Sequence, residues 1–259
     1  MTKFINLIVN ENMKIMHRPR LWVMIVLLIV SVLLMAIFIN NGNQEAEQPT
    51  DLLGFVSTST DVLFLAKIFA VILAGDIVAS EFSWGTIKLL LIRPANRTKI
   101  LLSKYLTVVL YTLFFMGVLL VSSILFGVLF FHGQPSAHPN LYSPSKIIGT
   151  YLFQFIGIVM EVTFAFMIST VFRSSSLAIG LSIFLMFTGN AFVQILHHFE
   201  VDWGKYLLYA NTDFTQYLAG NQVLFQGMTI GFSIMMLCIY FVLFHFFSWI
   251  SFIRRDIDV

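Results

Sequence analysis

The sequence predicts an all-α membrane protein with six transmembrane helices. Three observations carry the prediction: an apolar excess, the length of the apolar runs, and a one-sided placement of Lys and Arg. Of 259 residues, 58% are hydrophobic and 11% charged, with a mean hydropathy of +0.89. A soluble domain holds roughly 45–50% apolar and about 25% charged residues. A chain of this size cannot enclose so much apolar surface in water, so lipid must cover the rest. The runs show no two-residue alternation, which excludes a barrel. Helices remain, because they satisfy their own backbone groups in lipid.

Residues 1–20 form the first element, an amphipathic interfacial helix. Ile5, Ile8, Val9, Met13 and Met16 fall on one face and Asn6, Asn10, Lys14 and His17 on the other. Such a helix lies in the inner headgroup layer, either as an anchor or as a transmitter of motion. Pro19 breaks it at the membrane entrance. Six runs then approach the roughly 20 apolar residues that cross about 30 Å of hydrocarbon. They are 21–39, 62–78, 105–131, 147–172, 177–196 and 228–253. The first run is too long for the apolar region of a cleavable signal peptide, and Asn40-Asn41-Gly42-Asn43 offers no small-residue cleavage site. The chain thus reads as a single transmembrane domain over 1–259.

Basic residues set the expected orientation. Twelve of the 15 Lys and Arg fall before the first run, in the loop after the second, between the fourth and fifth, or in the tail. That side, with both termini, is expected to be cytoplasmic in a bacterial plasma membrane. Residues 40–61 carry Glu45, Glu47, Asp51 and Asp61 without one Lys or Arg. Residues 197–227 read as an extracellular helical segment, with Phe199, Trp203, Tyr206, Tyr209 and Tyr217 as an interfacial belt.

Charges inside the runs are few. Lys67 and Asp76 lie in the second and Glu161 in the fourth. An unpaired charge costs about 2.5–3.5 kcal/mol there on insertion scales, so these residues face protein or water. Counted from the outer ends, Lys67 lies roughly 8 Å deep and Glu161 roughly 21 Å deep. Those depths disfavour a direct pair unless the second span begins near Leu52. The two residues are either structural or line a substrate path. Asp76, near the cytoplasmic end, is expected to be solvated or paired with a loop Arg. Cys238 reads as a small packing residue, and His245 as a packed polar one. Adjacent histidines on a helix point about 100° apart, so His197, His198 and Glu200 are not expected to hold a metal.

The loop over 80–104 has the most shape. Gly85 permits a sharp turn, and Thr86 can cap a short helix carrying Ile87, Leu90 and Leu91. Pro94 stops that helix, and Asn96 can cap the next. The pattern Glu81-Phe82-x-x-Gly85-Thr86-Ile87-Lys88-x-Leu90-Leu91-x-Arg93-Pro94-x-x-Arg97-x-Lys99, after Asp76-Ile77-Val78-Ala79, resembles the type-2 ATP-binding-cassette (ABC) exporter permeases. It is most similar to the bacterial branch associated with bacitracin resistance, lantibiotic immunity and peptide export. The resemblance implies that this loop is a coupling helix. Glu81, Gly85, Thr86, Ile87, Lys88, Leu90, Leu91, Arg93, Pro94, Arg97 and Lys99 would then meet a nucleotide-binding subunit. It also implies two permeases, identical or related, with two ATPase subunits that bind the ATP and Mg.

The sequence holds no phosphate-binding loop of the GxxxxGK[ST] kind, no GxSxG elbow and no HExxH pair. An enzymatic role is therefore not expected, and no cofactor is assigned to this chain. Arg93, Arg97 and Lys99 flank a span, so their charge speaks for inner-leaflet lipid or an ATPase surface rather than nucleic acid. The alternative is an ATP-independent secondary transporter or lipid-handling membrane protein. It predicts more intramembrane charge and inverted repeats than the sequence displays. The expected cargo is a hydrophobic or amphipathic compound such as an antimicrobial peptide.

Overall fold

The structure is a computed structural model and describes residues 4–43, 50–85, 96–133, 143–172, 174–218 and 223–253. Among these residues every regular element is a helix. Helix α1 (Phe4–Met16) and helix α2 (Pro19–Asn43) meet at a break where Pro19 opens the second helix. Proline suits that place, since the N–H it lacks has no intrahelical partner there. The chain returns through α3 (Leu52–Thr58), a 3-10 turn (Ser59–Val62), α4 (Leu63–Ile77) and α5 (Ala79–Ser83). Helices α6 (Arg97–Phe131), α7 (Pro144–Val171) and α8 (Ser175–His198) follow. Two 3-10 turns flank the short α9 (Leu208–Asn211), and α10 (Ile230–Ile253) completes the bundle.

Among the described residues five helices, α2, α6, α7, α8 and α10, are long and apolar enough to cross a membrane. The second expected run takes a different form. Its helix α4 has only 15 residues, but helical backbone starts earlier, at Leu52. The hydroxyls that make 52–62 look like a loop are consumed locally. Thr58 donates to Gly54 O, Ser59 to Val56 O and Thr60 to Ser57 O, at 2.7–2.9 Å. Asp51 caps the first turn by accepting from the Gly54 N–H at 2.9 Å.

Helix α4 is the centre of the bundle, packed against α2, α6, α7 and α8. Ala66, Ala70 and Ala74 recur every four residues and are at most 2% exposed. Small side chains at that spacing let neighbouring helices approach closely. Around them Phe69 meets Phe115 edge-on at 6.1 Å, and Phe55 stacks on Phe131 at 4.8 Å. The outer faces are the reverse of a soluble protein. Val26, Leu27 and Leu34 on α2, and Ile234, Val242 and Phe247 on α10, are exposed, a surface suited to hydrocarbon.

Two expectations on side-chain placement need correction. Of the aromatic belt, Phe199, Trp203 and Tyr206 are exposed, but Tyr209 and Tyr217 turn inward. Tyr209 packs on Gly189, and the Tyr217 hydroxyl bonds Ser233 at 2.6 Å. Cys238 is exposed on α10 rather than packed. Its helix turns Leu237 and Phe244 inward instead.

Candidate functional site

Ionisable side chains gather in two regions: the end of the bundle shared by α1, α5 and the start of α6, and a cavity between α4, α7 and α8.

At the first region Lys104 is fully buried. Its Nζ donates to Glu11 Oε2 at 2.7 Å, Glu81 Oε1 at 2.9 Å and Ile77 O at 3.3 Å. Lys14 closes the set, donating to Glu11 Oε1 at 2.7 Å and Glu81 Oε1 at 2.8 Å. Two ammonium groups and two carboxylates thus alternate across three helices. Burial alone would raise the Glu81 carboxyl, but Lys104 and then Lys14 outweigh it and hold it down to about 2. Burial likewise works against the Lys14 ammonium, and Glu11 with Glu81 reverses that, raising its pKa.

Helix α1 explains why Glu11 arrives there. Leu7, Glu11 and Ile15 are its buried residues, spaced four apart on one stripe. The apolar set Ile5, Val9, Met13 and Met16 is exposed and faces away from the bundle. The stripe that touches protein is therefore the one carrying the acid. Sequence patterning alone missed Glu11, although it is the lone acid in a basic N-terminal segment.

Beside this set, Asp76 is 4% exposed and its Oδ2 accepts from both Arg18 and Arg20. Arg18 stands between α1 and α2 and Arg20 in the first turn of α2, so the expectation of a loop Arg or solvent is corrected. Between Asp76 and Glu81 the helical backbone breaks. Ser169 of α7 mends the break, its hydroxyl accepting from the Val78 and Ala79 N–H groups at 3.3 and 3.0 Å.

The chain then reaches Gly85, whose φ of +68° is the left-handed conformation that the sharp turn requires. Thr86, Ile87, Lys88, Leu90, Leu91, Arg93 and Pro94 lie outside the described residues. Description resumes at Asn96, whose side chain accepts from Thr98 N–H at 3.1 Å and caps α6. Arg97 donates to Ile253 O at 3.0 Å, tying α6 to the end of α10, and Lys99 is exposed.

The second region centres on Lys67 and Glu161, which pair at 3.2 Å. A span beginning at 62 would leave Lys67 too shallow for this pair. From Leu52 the helical path places Lys67 roughly 22 Å from its start, level with Glu161. Glu161 is 4% exposed, and its buried Oε2 has no hydrogen-bond partner among the described residues. The pair opens on a cavity of about 300 Å³ lined also by Phe64, Gln154, Gly157, Ile158, Met186, Phe187, Asn190, Thr212 and Asp213. Gly157 lets the 208–217 stretch descend this far, because a Cβ there would sit 2.2 Å from Thr212 O. Gln154, Asn190 and Asp213 are thus site residues that sequence reading did not find; they come together only through this packing.

Among the described residues His197, His198 and His245 pack on aromatic rings. His197 packs on Phe225 and His198 on Phe199, with ring centroids 5.8 and 5.5 Å apart. His245 packs edge-on to Tyr105 at 4.6 Å, as a packed polar residue should.

Several long apolar helices with exposed apolar outer faces mark a multi-pass α-helical membrane protein. The chain belongs to the family described as "Protein of unknown function (DUF2705)", which matches residues 20–257. Two Bacillus subtilis (strain 168) proteins are similar. "Uncharacterized protein YhcI" is 40% identical over 85% of this chain and 75% of its own. "Uncharacterized membrane protein YdbK" is 34% identical over 95% of this chain and 100% of its own.

Proposed function

We propose that this chain is the transmembrane permease subunit of an ATP-driven ABC exporter in the bacterial cytoplasmic membrane. It crosses six times, with both termini cytoplasmic, and works beside a second copy or a related permease. Two separate ATPase subunits bind the ATP and Mg. The cargo is a hydrophobic or amphipathic compound such as an antimicrobial peptide. A sixth crossing is supported by the helical path from Leu52 to Ile77, up to about 39 Å if fully helical.

The single observation that carries the reading is the fixation of Glu81. This residue opens the permease-like loop motif, and it is clamped between Lys14 of α1 and Lys104 of α6. A push on residues 85–99 would therefore move α1 and α6 as semi-rigid bodies rather than dissipate in a slack loop. The test is co-purification with a candidate ABC ATPase from the same host, together with ATP-dependent export. Glu81→Gln, Gly85→Ala and Arg93→Gln should each weaken association or uncouple export from ATP hydrolysis. Undiminished association with full ATP-coupled export in all three removes the coupling role.

A secondary, ion-coupled transporter is the second reading, favoured by the Lys67–Glu161 pair beside a polar cavity. Export that continues without ATP and follows the proton gradient would select it.

A further inference from the structure

We propose that the groove between the start of α6 and the end of α10 holds one acyl chain of an anionic phospholipid whose phosphate meets Lys99. Arg97 donates to Ile253 O at 3.0 Å, so the first turn of α6 and the last of α10 stand at one level. Helix α10 has 24 residues and is about 36 Å long, slightly more than the roughly 30 Å of hydrocarbon. Its last turn therefore reaches the headgroup layer, and the half-exposed Trp249 suits that amphipathic boundary. Between the two helices lies a groove of about 270 Å³ lined by Thr98, Leu101, Leu102, His245, Phe246 and Trp249.

The groove selects an apolar guest. Its polar groups are turned on protein partners: Trp249 Nε1 donates to Thr98 Oγ1 at 3.3 Å, and His245 Nδ1 lies 3.0 Å from Phe241 O. The wall left accessible is almost all hydrocarbon, with Leu102, Phe246 and Trp249 each at least 42% exposed. The same lipid-facing surface continues along α10 through Val242 and Phe247, so a chain enters from the bilayer without crossing water. The rim selects the headgroup. Lys99 is exposed and stands three residues before Leu102, on the same side of α6. Helical side chains lean toward the N-terminus, so its ammonium is carried to the headgroup level while Leu102 stays below. The first-turn N–H groups of this 35-residue helix add positive potential at the same place. Neither 96–102 nor 245–253 contains an acid to answer that charge, whereas a lipid phosphate does. The inference rests on the membrane-crossing reading and is independent of what drives transport.

The test uses the full chain in phosphatidylcholine nanodiscs, with Trp22, Trp84 and Trp203 replaced by Phe so that Trp249 fluoresces alone. Acyl-brominated phosphatidylglycerol should quench Trp249 to saturation at a mole fraction at least fivefold below that needed with acyl-brominated phosphatidylcholine. Lys99→Gln should erase that preference, and Lys99→Arg should keep it. Leu102→Phe changes a half-exposed position, narrows the groove and should weaken the phosphatidylglycerol response at least fivefold. Equal quenching by the two lipids in the parent chain, a preference that survives Lys99→Gln, or an unchanged response in Leu102→Phe overturns the site. So does an equal loss in Lys88→Gln, which removes the same charge from the same connection and would mark diffuse attraction. Neither ATP nor an ATPase enters the measurement, so its failure leaves the exporter reading untouched.

Discussion

Replacing Lys104 with Met removes the one fully buried cation in the set that joins α1, α5 and α6. The side chain keeps its length and apolar stem, so packing changes little and the electrostatic loss dominates. Glu11 and Glu81 then lose the buried ammonium between them, and the compensation of two buried carboxylates is weakened. Breaking a buried pair from one side destabilises by about 3–5 kcal/mol. The Glu81 carboxyl gives an independent figure. It is held at about 2 against an ordinary 4.5 by Lys104 and Lys14 together, and one unit corresponds to about 1.4 kcal/mol, giving about 3.5 kcal/mol as the upper limit for Lys104. A carboxyl lowered in the folded chain stabilises it fully above about pH 4.5, and that contribution is lost as pH falls toward 2. Reversible unfolding in mixed micelles, followed by circular dichroism from pH 7 to pH 3, measures both effects. Lys104→Met should lower stability by about 3 kcal/mol at pH 7 and flatten the acid limb. Adding Glu11→Gln restores charge balance around Lys14 and should recover about half of the loss. A Lys104→Met variant within about 0.5 kcal/mol of wild type, or strict additivity in the double variant, would refute the network as a stabilising unit.

Three further outcomes follow from single contacts. Ser169→Ala leaves the Val78 and Ala79 N–H groups without their acceptor, costing about 1–3 kcal/mol, and those two amides should exchange with deuterium faster than their neighbours. Gly157→Ala drives a methyl into the Thr212 carbonyl oxygen; the structure should lose about 1–3 kcal/mol, and a cysteine placed at 213 should become more reactive to a soluble maleimide. Gly85→Ala meets no atom within 4 Å, so its effect is conformational only, about 1 kcal/mol, with Gly85→Asn closer to wild type in the same unfolding assay.

Much of the fold was legible because lipid imposes a length on apolar runs. The five long helices coincide with five of the six runs, and Pro19, Gly85 and Asn96 stand where their backbone chemistry places them. The second run was misjudged at its start. Ser57, Thr58, Ser59 and Thr60 read as loop residues, yet three of those hydroxyls bond the preceding turn and the helical path continues through them. That one boundary moved Lys67 to the level of Glu161 and turned two isolated charges into a pair. The amphipathic helix was recognised as a helix, but its apolar face was not the face that meets protein.

By itself, then, the sequence determined that this chain folds as apolar helices with most of its Lys and Arg in the tails and alternate connections, since hydropathy and run length are properties of local stretches. Which charges meet was decided only by tertiary structure. Glu11 reaches Lys104 across 93 residues and Lys67 reaches Glu161 across 94. Nothing local to either sequence position encodes such a meeting. It depends on the rotation and depth of whole helices, which the close packing of Ala66, Ala70, Ala74 and Gly157 sets.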